Sequence, residues 1–180
     1  MAKPFRDEAE IYTYILNAKS SILSLASTVE HQLELIIASH FSITDKDYDL
    51  FCKMLYPNSI GLTFGIKIGL YEILLKSEEP KYLVQNPDFI KSIRRIKELR
   101  NHFAHAMNQP KKALKNFVGK KHFELDYLVE GRMLTRQFTI DDIKNRYDEL
   151  NNIVNELQEF NIRDEKRKKV KITKIKLKKP

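Results

Sequence analysis

Within six residues, the stretch Arg100-Asn101-His102-Phe103-Ala104-His105 contains a guanidinium, a carboxamide and two imidazoles. An imidazole titrates near neutral pH and can accept or donate a proton during a reaction. A guanidinium can stabilise negative charge that develops on an oxygen atom. Arg100 and His105 are therefore the first pair of side chains to consider for chemistry, and the elements that hold them decide how they can act.

Residues 88–107 are predicted to form an amphipathic helix that starts after a cap at Asn86 or Asp88 and ends before Pro110. At about 100° per residue, Arg100 lies inside the apolar arc and His105 lies about 140° away, on the face of Asn101. The arc spans roughly 80°, and Leu99 and Ala104 lie at its edges. Its side chains are those of Phe89, Ile93, Ile96, Phe103 and Met107.

The position of Arg100 in this arc requires a physical reason, because burying a guanidinium without a partner costs several kcal/mol. Three arrangements would satisfy the Arg100 side chain. It extends to solvent past its apolar neighbours, it pairs with an acid such as Glu30 or Glu34, or it lines a cleft that binds an anion. The sequence leaves these alternatives open.

Other reactive constellations are weaker. His102 and His105 could hold a metal ion with His31, His40 or His122, but no carboxylate has a spacing that completes the site. The chain has no nucleophile elbow and no phosphate loop, and its single cysteine, at position 52, is expected to be a structural thiol in a helix.

Positive charge is concentrated in two basic zones, and the remaining residues carry a net −9, so the whole chain has a net charge of +8. Residues 163–180 carry ten Lys or Arg against two acids, a net +8, and residues 91–121 carry ten against one acid, a net +9. These zones indicate a polyanionic partner, and nucleic acid is preferred to a membrane because no amphipathic insertion helix accompanies them. The alternative is a solvated helix face and a solubilising tail. The residues expected to contact nucleic acid are Arg94, Lys97, Lys111, Lys112, Arg167, Lys168 and Lys169.

The composition favours one helical domain. The 180 residues are 42% hydrophobic and 31% charged, which is enough for a core. A single cysteine excludes a disulfide-stapled scaffold and a cysteine-based zinc finger. The absence of Trp, with only five Gly and six Pro, favours long helices over a many-stranded sandwich. No signal peptide or transmembrane run is recognised, so we expect a cytoplasmic protein that does not associate with a membrane.

Apolar spacings of three and four residues predict most of the remaining elements. They indicate a long helix from Asp7 to Phe41, as one helix or two abutting ones, and a short helix from about Thr44 to Leu55. A further helix from Ser59 to Leu75 has glycine at every fourth position, which would let a neighbouring helix approach closely; these glycines are Gly61, Gly65 and Gly69. A loop with Pro80 and Pro87 is expected to follow.

The C-terminal third is predicted to contain a β-hairpin at about 122–138, because apolar and polar residues alternate on both sides of Glu130-Gly131. Thr139-Ile140-Asp141-Asp142 is similar to a capping box and begins a final amphipathic helix. We expect residues 1–162 to form a single domain and residues 163–180 to form a Lys-rich tail, which could add a strand to the hairpin.

The string LRNHFAH resembles the R-x4-6-H motif of the HEPN superfamily, and Asn101 after the arginine matches the commonest form of that motif. Upstream, FGIKIGLYEILL (residues 64–75) is similar to the helix that precedes the motif in the mannitol operon repressor branch, where such a pattern leads into an IRN-x-FAH string. The resemblance covers roughly residues 10–108, and the hairpin and basic tail have no counterpart in it.

The resemblance implies a mainly all-α, HEPN-like helical bundle, to which the residue patterns described above add a small hairpin insertion and a basic tail. It implies that His105 is the acid/base, Arg100 the phosphate clamp and Asn101 the residue that orients either of them. In the family a two-fold dimer brings two motif helices to one cleft, which would also explain an arginine in an apolar stripe. It implies no metal and no cofactor.

Two function classes follow from the resemblance. The first is a metal-independent endoribonuclease of the toxin–antitoxin or antiviral phage-defence kind, a homodimer that cleaves RNA by 2′-OH attack and is restrained by an antitoxin or another regulatory protein. The second is a non-catalytic dimeric regulator, similar to the mannitol operon repressor, that binds nucleic acid or protein. The basic residues around the motif favour the nuclease.

Overall fold

The computed structural model describes residues 3–41, 63–106, 114–129 and 131–176. This part of the chain is mainly helical with one antiparallel hairpin, which confirms the predicted fold class at that level. The short helix predicted for residues 44–55 lies outside the described residues. In chain order the elements are α1 (Glu8–His40), α2 (Phe64–Glu78), α3 (Pro80–Gln85), α4 (Phe89–His105), a 3₁₀ turn (Lys115–Phe117), β1 (His122–Val129), β2 (Arg132–Thr139) and α5 (Ile140–Lys176).

The long first helix is confirmed as one uninterrupted element, α1. Asp7 stands before it, and its carboxylate accepts a hydrogen bond from the Glu10 backbone N–H at 2.8 Å, which satisfies one of the unpaired donors of the first turn. One face of the helix is buried along its length, because apolar residues recur at helical spacing: Ile11, Ala18, Ile22, Val29, Leu33, Ile36 and Ile37.

The prediction of a loop after α2 is wrong, and the predicted close approach of a neighbouring helix is contradicted at Gly69. The predicted loop at Pro80 contains the short helix α3, where proline occupies the first turn and its missing N–H leaves no hydrogen bond unmade. At Gly69 of α2 no neighbouring helix approaches closely, since a Cβ placed there would meet no described atom within 4 Å. Residues 59–62 of the predicted helix lie outside the described residues, and α2 begins at Phe64 after its N-cap, Thr63.

Two compact units divide the chain, Met1–Ser27 with Arg95–Asn151 and Thr28–Arg94 with Asn152–Pro180. The first unit contains the hairpin, whose strands pair antiparallel from His122 opposite Thr139 to Val129 opposite Arg132. Gly131 closes the turn with a φ of 77°, a left-handed conformation that glycine adopts without steric cost. As the sequence predicts, half-buried acids of β1 alternate with buried side chains: Phe123, Leu125 and Tyr127.

Aromatic side chains attach the hairpin to the helices of the first unit. Phe123 and Phe138 lie opposite each other in the ladder and stack with ring centroids 5.9 Å apart. Phe138 lies 5.3 Å from Phe103 of α4, and Phe123 lies 5.9 Å from Tyr14 of α1. Phe103, Phe123 and Phe138 are all buried, so this cluster fixes the hairpin against the motif helix.

The junction between β2 and α5 is the predicted capping box. The Asp142 N–H donates to the Thr139 hydroxyl at 2.9 Å, and the Thr139 N–H donates to the Asp142 carboxylate at 3.1 Å. α5 then continues to Lys176, past residue 163, where the composition becomes strongly basic. The prediction that the tail adds a strand is therefore wrong over the described residues: the sheet there has two strands, and the tail is helical as far as Lys176.

The second unit contains a buried charged group that the sequence did not reveal. Lys67 of α2 is 1% exposed, and its ammonium donates to Glu30 at 2.7 Å and to Glu34 at 2.5 Å, both on α1. Glu34 is 5% exposed, and His31 approaches its other oxygen at 3.5 Å. Burial alone would lower the pKa of Lys67, but the hydrogen bonds and charges of the two glutamates raise it, so the ammonium stays charged.

We expect Lys67→Ala to destabilise the protein by about 3–5 kcal/mol, because it removes the ammonium that pairs with the buried Glu34 carboxylate. Lys76→Ala on the same helix is the matched control, since the Lys76 side chain is 65% exposed and pairs with Glu72 at 2.8 Å; it should cost less than about 1 kcal/mol. Urea unfolding of both variants measures the difference, and equal small losses would contradict a structural role for the buried ammonium.

Candidate functional site

The motif lies on the last turns of α4, at the end that faces the hairpin of the first unit. The predicted apolar arc is confirmed by burial of Phe89, Ile93, Ile96, Leu99 and Phe103, whereas Ala104 is exposed and Met107 lies outside the described residues. The end of the helix is held by two long-range contacts. The Lys19 ammonium donates to the Ala106 carbonyl at 3.2 Å, and Ala106 forms a β-bridge with Tyr127.

Arg100 and Asn101 form a local pair. Both side chains are half-buried, and the Arg100 guanidinium donates from Nη1 to the Asn101 Oδ1 at 3.2 Å. Among the described residues no carboxylate forms an ion pair with Arg100, and the two acids considered above as its partners, Glu30 and Glu34, bind Lys67. A half-buried guanidinium that is oriented by an amide and not neutralised retains most of its N–H donors for an anion.

His105 is the last residue of α4, and its side chain is exposed. Arg100 precedes it by five positions, which on one helix corresponds to about 140° of rotation and about 7.5 Å of rise. One copy of the helix therefore presents the guanidinium and the imidazole on different sides, as the sequence predicts.

His102 contacts the hairpin, a role that the sequence pattern around it does not reveal. Its ring packs edge-on against Tyr127 of β1 with centroids 4.6 Å apart, and its Nδ1 accepts a hydrogen bond from Nη1 of Arg136 on β2 at 3.3 Å. Burial, and to a smaller degree the Arg136 charge, lowers the pKa of His102, against an opposing effect of Glu98. The acceptor role of Nδ1 places the proton of the neutral ring on Nε2.

A signal for this contact was present in the sequence. Arg136 and Phe138 are two residues apart on a predicted strand, so their side chains share one face. The structure places Phe138 in the aromatic cluster and the Arg136 guanidinium 5.3 Å above its ring. Strand parity therefore indicates an arginine on the helix-facing side of the hairpin, but only the fold shows that His102 is its partner.

The residues predicted to bind nucleic acid are placed unevenly. Arg94 forms an ion pair with Glu72 at 2.5 Å, and Lys97 is half-buried on α4. Lys111 and Lys112 lie outside the described residues. For the three basic residues of the tail the structure describes only a helical backbone, in α5: Arg167, Lys168 and Lys169.

The comparisons with known proteins give no family for the chain. No protein-family model, curated protein or solved structure matches it. Over the described residues, none of the helices combines the length and apolar character that crossing a bilayer requires. In the same residues, His, Cys, Asp and Glu side chains do not gather in threes that could hold a metal ion, so the histidine combination considered above does not assemble there.

We expect the free energy of unfolding to decrease as the pH falls from 7 towards 5, in part because of His102. Its pKa lies below the ordinary value of 6.5, so in this range the unfolded chain binds more protons than the folded one. His102→Asn removes the titrating ring and should make the decrease less steep. Denaturant unfolding of both proteins at several pH values measures the two slopes, and identical slopes would show that His102 does not contribute.

Proposed function

We propose that the chain is a HEPN-type endoribonuclease that cleaves RNA as a cytoplasmic homodimer and is restrained by a regulatory protein of the antitoxin kind. The observation that carries this proposal is the state of the motif on α4. Arg100 is oriented by Asn101 at 3.2 Å and, among the described residues, has no carboxylate partner, while His105 is exposed at the helix end. An arginine retained only for structure would be expected to contact an acid or extend fully into solvent.

The proposed reaction is attack of a ribose 2′-oxygen on the adjacent phosphorus. The bond from O2′ to phosphorus forms, the bond from phosphorus to O5′ breaks, and the proton lost by O2′ is balanced by one delivered to O5′. The His105 imidazole transfers a proton, and Arg100 stabilises the charge on the phosphoryl oxygens. Asn101 holds the guanidinium in position. Cleavage therefore leaves a cyclic phosphate and a 5′-OH, and the scheme assigns no step to a metal or cofactor.

The geometry of one helix supports a dimeric site. Because Arg100 and His105 diverge by about 140° on α4, they cannot both contact one phosphate from the same copy without large movements. Two motif helices related by a two-fold axis would supply an arginine from one copy beside a histidine from the other. The basic residues of the chain support RNA as the ligand, since phosphate contacts supply most of the affinity for a nucleic acid.

We expect Arg100→Ala and His105→Ala each to slow RNA cleavage by about 100-fold or more, because each removes a group that acts in the transition state. A labelled mixed RNA pool measures the rate, and end analysis identifies the cyclic phosphate and the 5′-OH. Cleavage should persist in EDTA, and DNA of the same sequence should remain intact because it lacks the 2′-OH.

Each variant must first keep the wild-type melting temperature, since replacing a half-buried charge also changes stability. Lys76→Ala is the control: it lies outside both basic zones, its side chain is 65% exposed and paired with Glu72, and its replacement should leave cleavage unchanged. Wild-type protein that binds RNA without cutting it, with both motif variants folded and equally inert, would support the regulator similar to the mannitol operon repressor instead.

We expect light scattering to give about twice the monomer mass of 21.3 kDa at tens of micromolar protein. Co-expression of the Arg100→Ala and His105→Ala chains provides a sharper measurement. A mixed dimer retains one arginine and one histidine on different copies, so it should recover part of the cleavage that neither variant has alone. A monomeric protein, or mixed dimers without activity, would rule out the shared site.

A further inference from the structure

Arg136 is an exposed arginine whose guanidinium is nevertheless held on two sides. It lies 5.3 Å above the Phe138 ring and donates one hydrogen bond to the Nδ1 of His102 at 3.3 Å. Among the described residues no carboxylate forms an ion pair with it. The pKa of Asp142 is lowered chiefly by its hydrogen bonds with Thr139 in the capping box and only to a smaller degree by the Arg136 charge. Most of the five N–H donors of the guanidinium therefore have no acceptor within the described part of the chain.

This arrangement places a fixed cation beside the motif. His102 precedes His105 by three residues, so the two lie about 60° apart around α4 and less than one turn apart along it. Arg136 is therefore held against the side of α4 that carries His102, and His105 projects from the adjacent side of the same helix. The contacts with Phe138 and His102 already restrict the Arg136 side chain. Less side-chain conformational entropy is therefore lost when the guanidinium binds an anion.

Resting on the proposed function, we propose that Arg136 binds a phosphate of the RNA strand that lies over the motif, and that His102 is the residue that positions it. A planar guanidinium offers parallel N–H donors that match the oxygens of a phosphodiester. Arg132, four residues earlier on β2 and also exposed, lies on the same face of the strand, so this surface of the hairpin is positively charged. The proposed RNA-binding surface therefore includes the hairpin as well as α4.

Binding to a single-stranded 2′-O-methyl RNA tests this proposal without cleavage, because the methyl group blocks the attacking oxygen. Arg136→Ala should bind about fivefold more weakly at 0.1 M salt, and its plot of log affinity against log salt should be shallower by about 0.7, the value for one phosphate contact. Arg146→Ala is the matched control. It removes the same charge from the same unit, but that guanidinium is already paired with Glu149 at 2.8 Å, so it should keep the wild-type affinity and slope.

Two substitutions of His102 test the positioning role. His102→Asn keeps an acceptor near the position of Nδ1 and should retain the wild-type affinity. His102→Phe keeps a ring against Tyr127 but loses the acceptor, and it should weaken binding as Arg136→Ala does. Adding His102→Phe to Arg136→Ala should cause no further loss, because both act through one guanidinium. Melting curves confirm that each variant is folded.

Unchanged affinity and slope in folded Arg136→Ala would overturn the proposal, and so would an equal loss in Arg146→Ala. Equal losses in the two His102 variants would overturn the positioning role. These outcomes are independent of the proposed cleavage. A wild-type protein that binds the methylated RNA through Arg136 but never cuts unmodified RNA would refute the nuclease and leave the phosphate contact established.

Discussion

The packing of Phe103 against Phe138 is the contact on which the rest of the candidate site depends. Phe103 lies in the middle of the motif, and its burial fixes the rotation of α4 in the first unit. Helix geometry then determines where the neighbouring side chains of the motif lie. Arg100 is half-buried, His105 is exposed and His102 faces the hairpin. Aromatic pairs contribute through burial and through a preferred geometry, so this contact also fixes the position of β2 and of Arg136.

The second unit has aromatic contacts of its own and adds a different kind of interaction to them. Lys67, Glu30 and Glu34 bring a cation and two carboxylates out of water, which costs free energy that the short hydrogen bonds offset. Such a group contributes little net stability compared with apolar side chains, but it penalises arrangements of α1 and α2 that separate the charges. Aromatic packing is thus common to both units, and the second also contains a polar contact that we expect to favour one register between two helices.

Local patterns predicted the elements well, and long-range contacts were not accessible from the sequence. The apolar spacing of α1, the alternation of β1 and the Thr139–Asp142 capping box are set by neighbours along the chain, so the sequence contains them. The suggestion of a strand in the tail rests on alternate apolar residues such as Val170 and Ile172, which also fit a two-residue period, whereas α5 continues through them. Lys67 appeared to be an ordinary member of a helix, since its acids are more than 30 positions away. The candidate roles of Arg100, Asn101 and His105 come from a resemblance, whereas the contact between His102 and Arg136 can be seen only in the fold.

The free edge of the hairpin has a further consequence. In the described residues β1 contacts Ala106 on its outer side through a bridge, whereas the outer edge of β2 has no strand beside it. An uncovered edge with exposed Met133 and Leu134 is a template on which another chain can add a strand and begin to aggregate. Arginine at positions 132 and 136 opposes this, because two such edges in contact would bring like charges together. We therefore expect the positive charge of β2 to oppose pairing of this edge with the same edge of another chain.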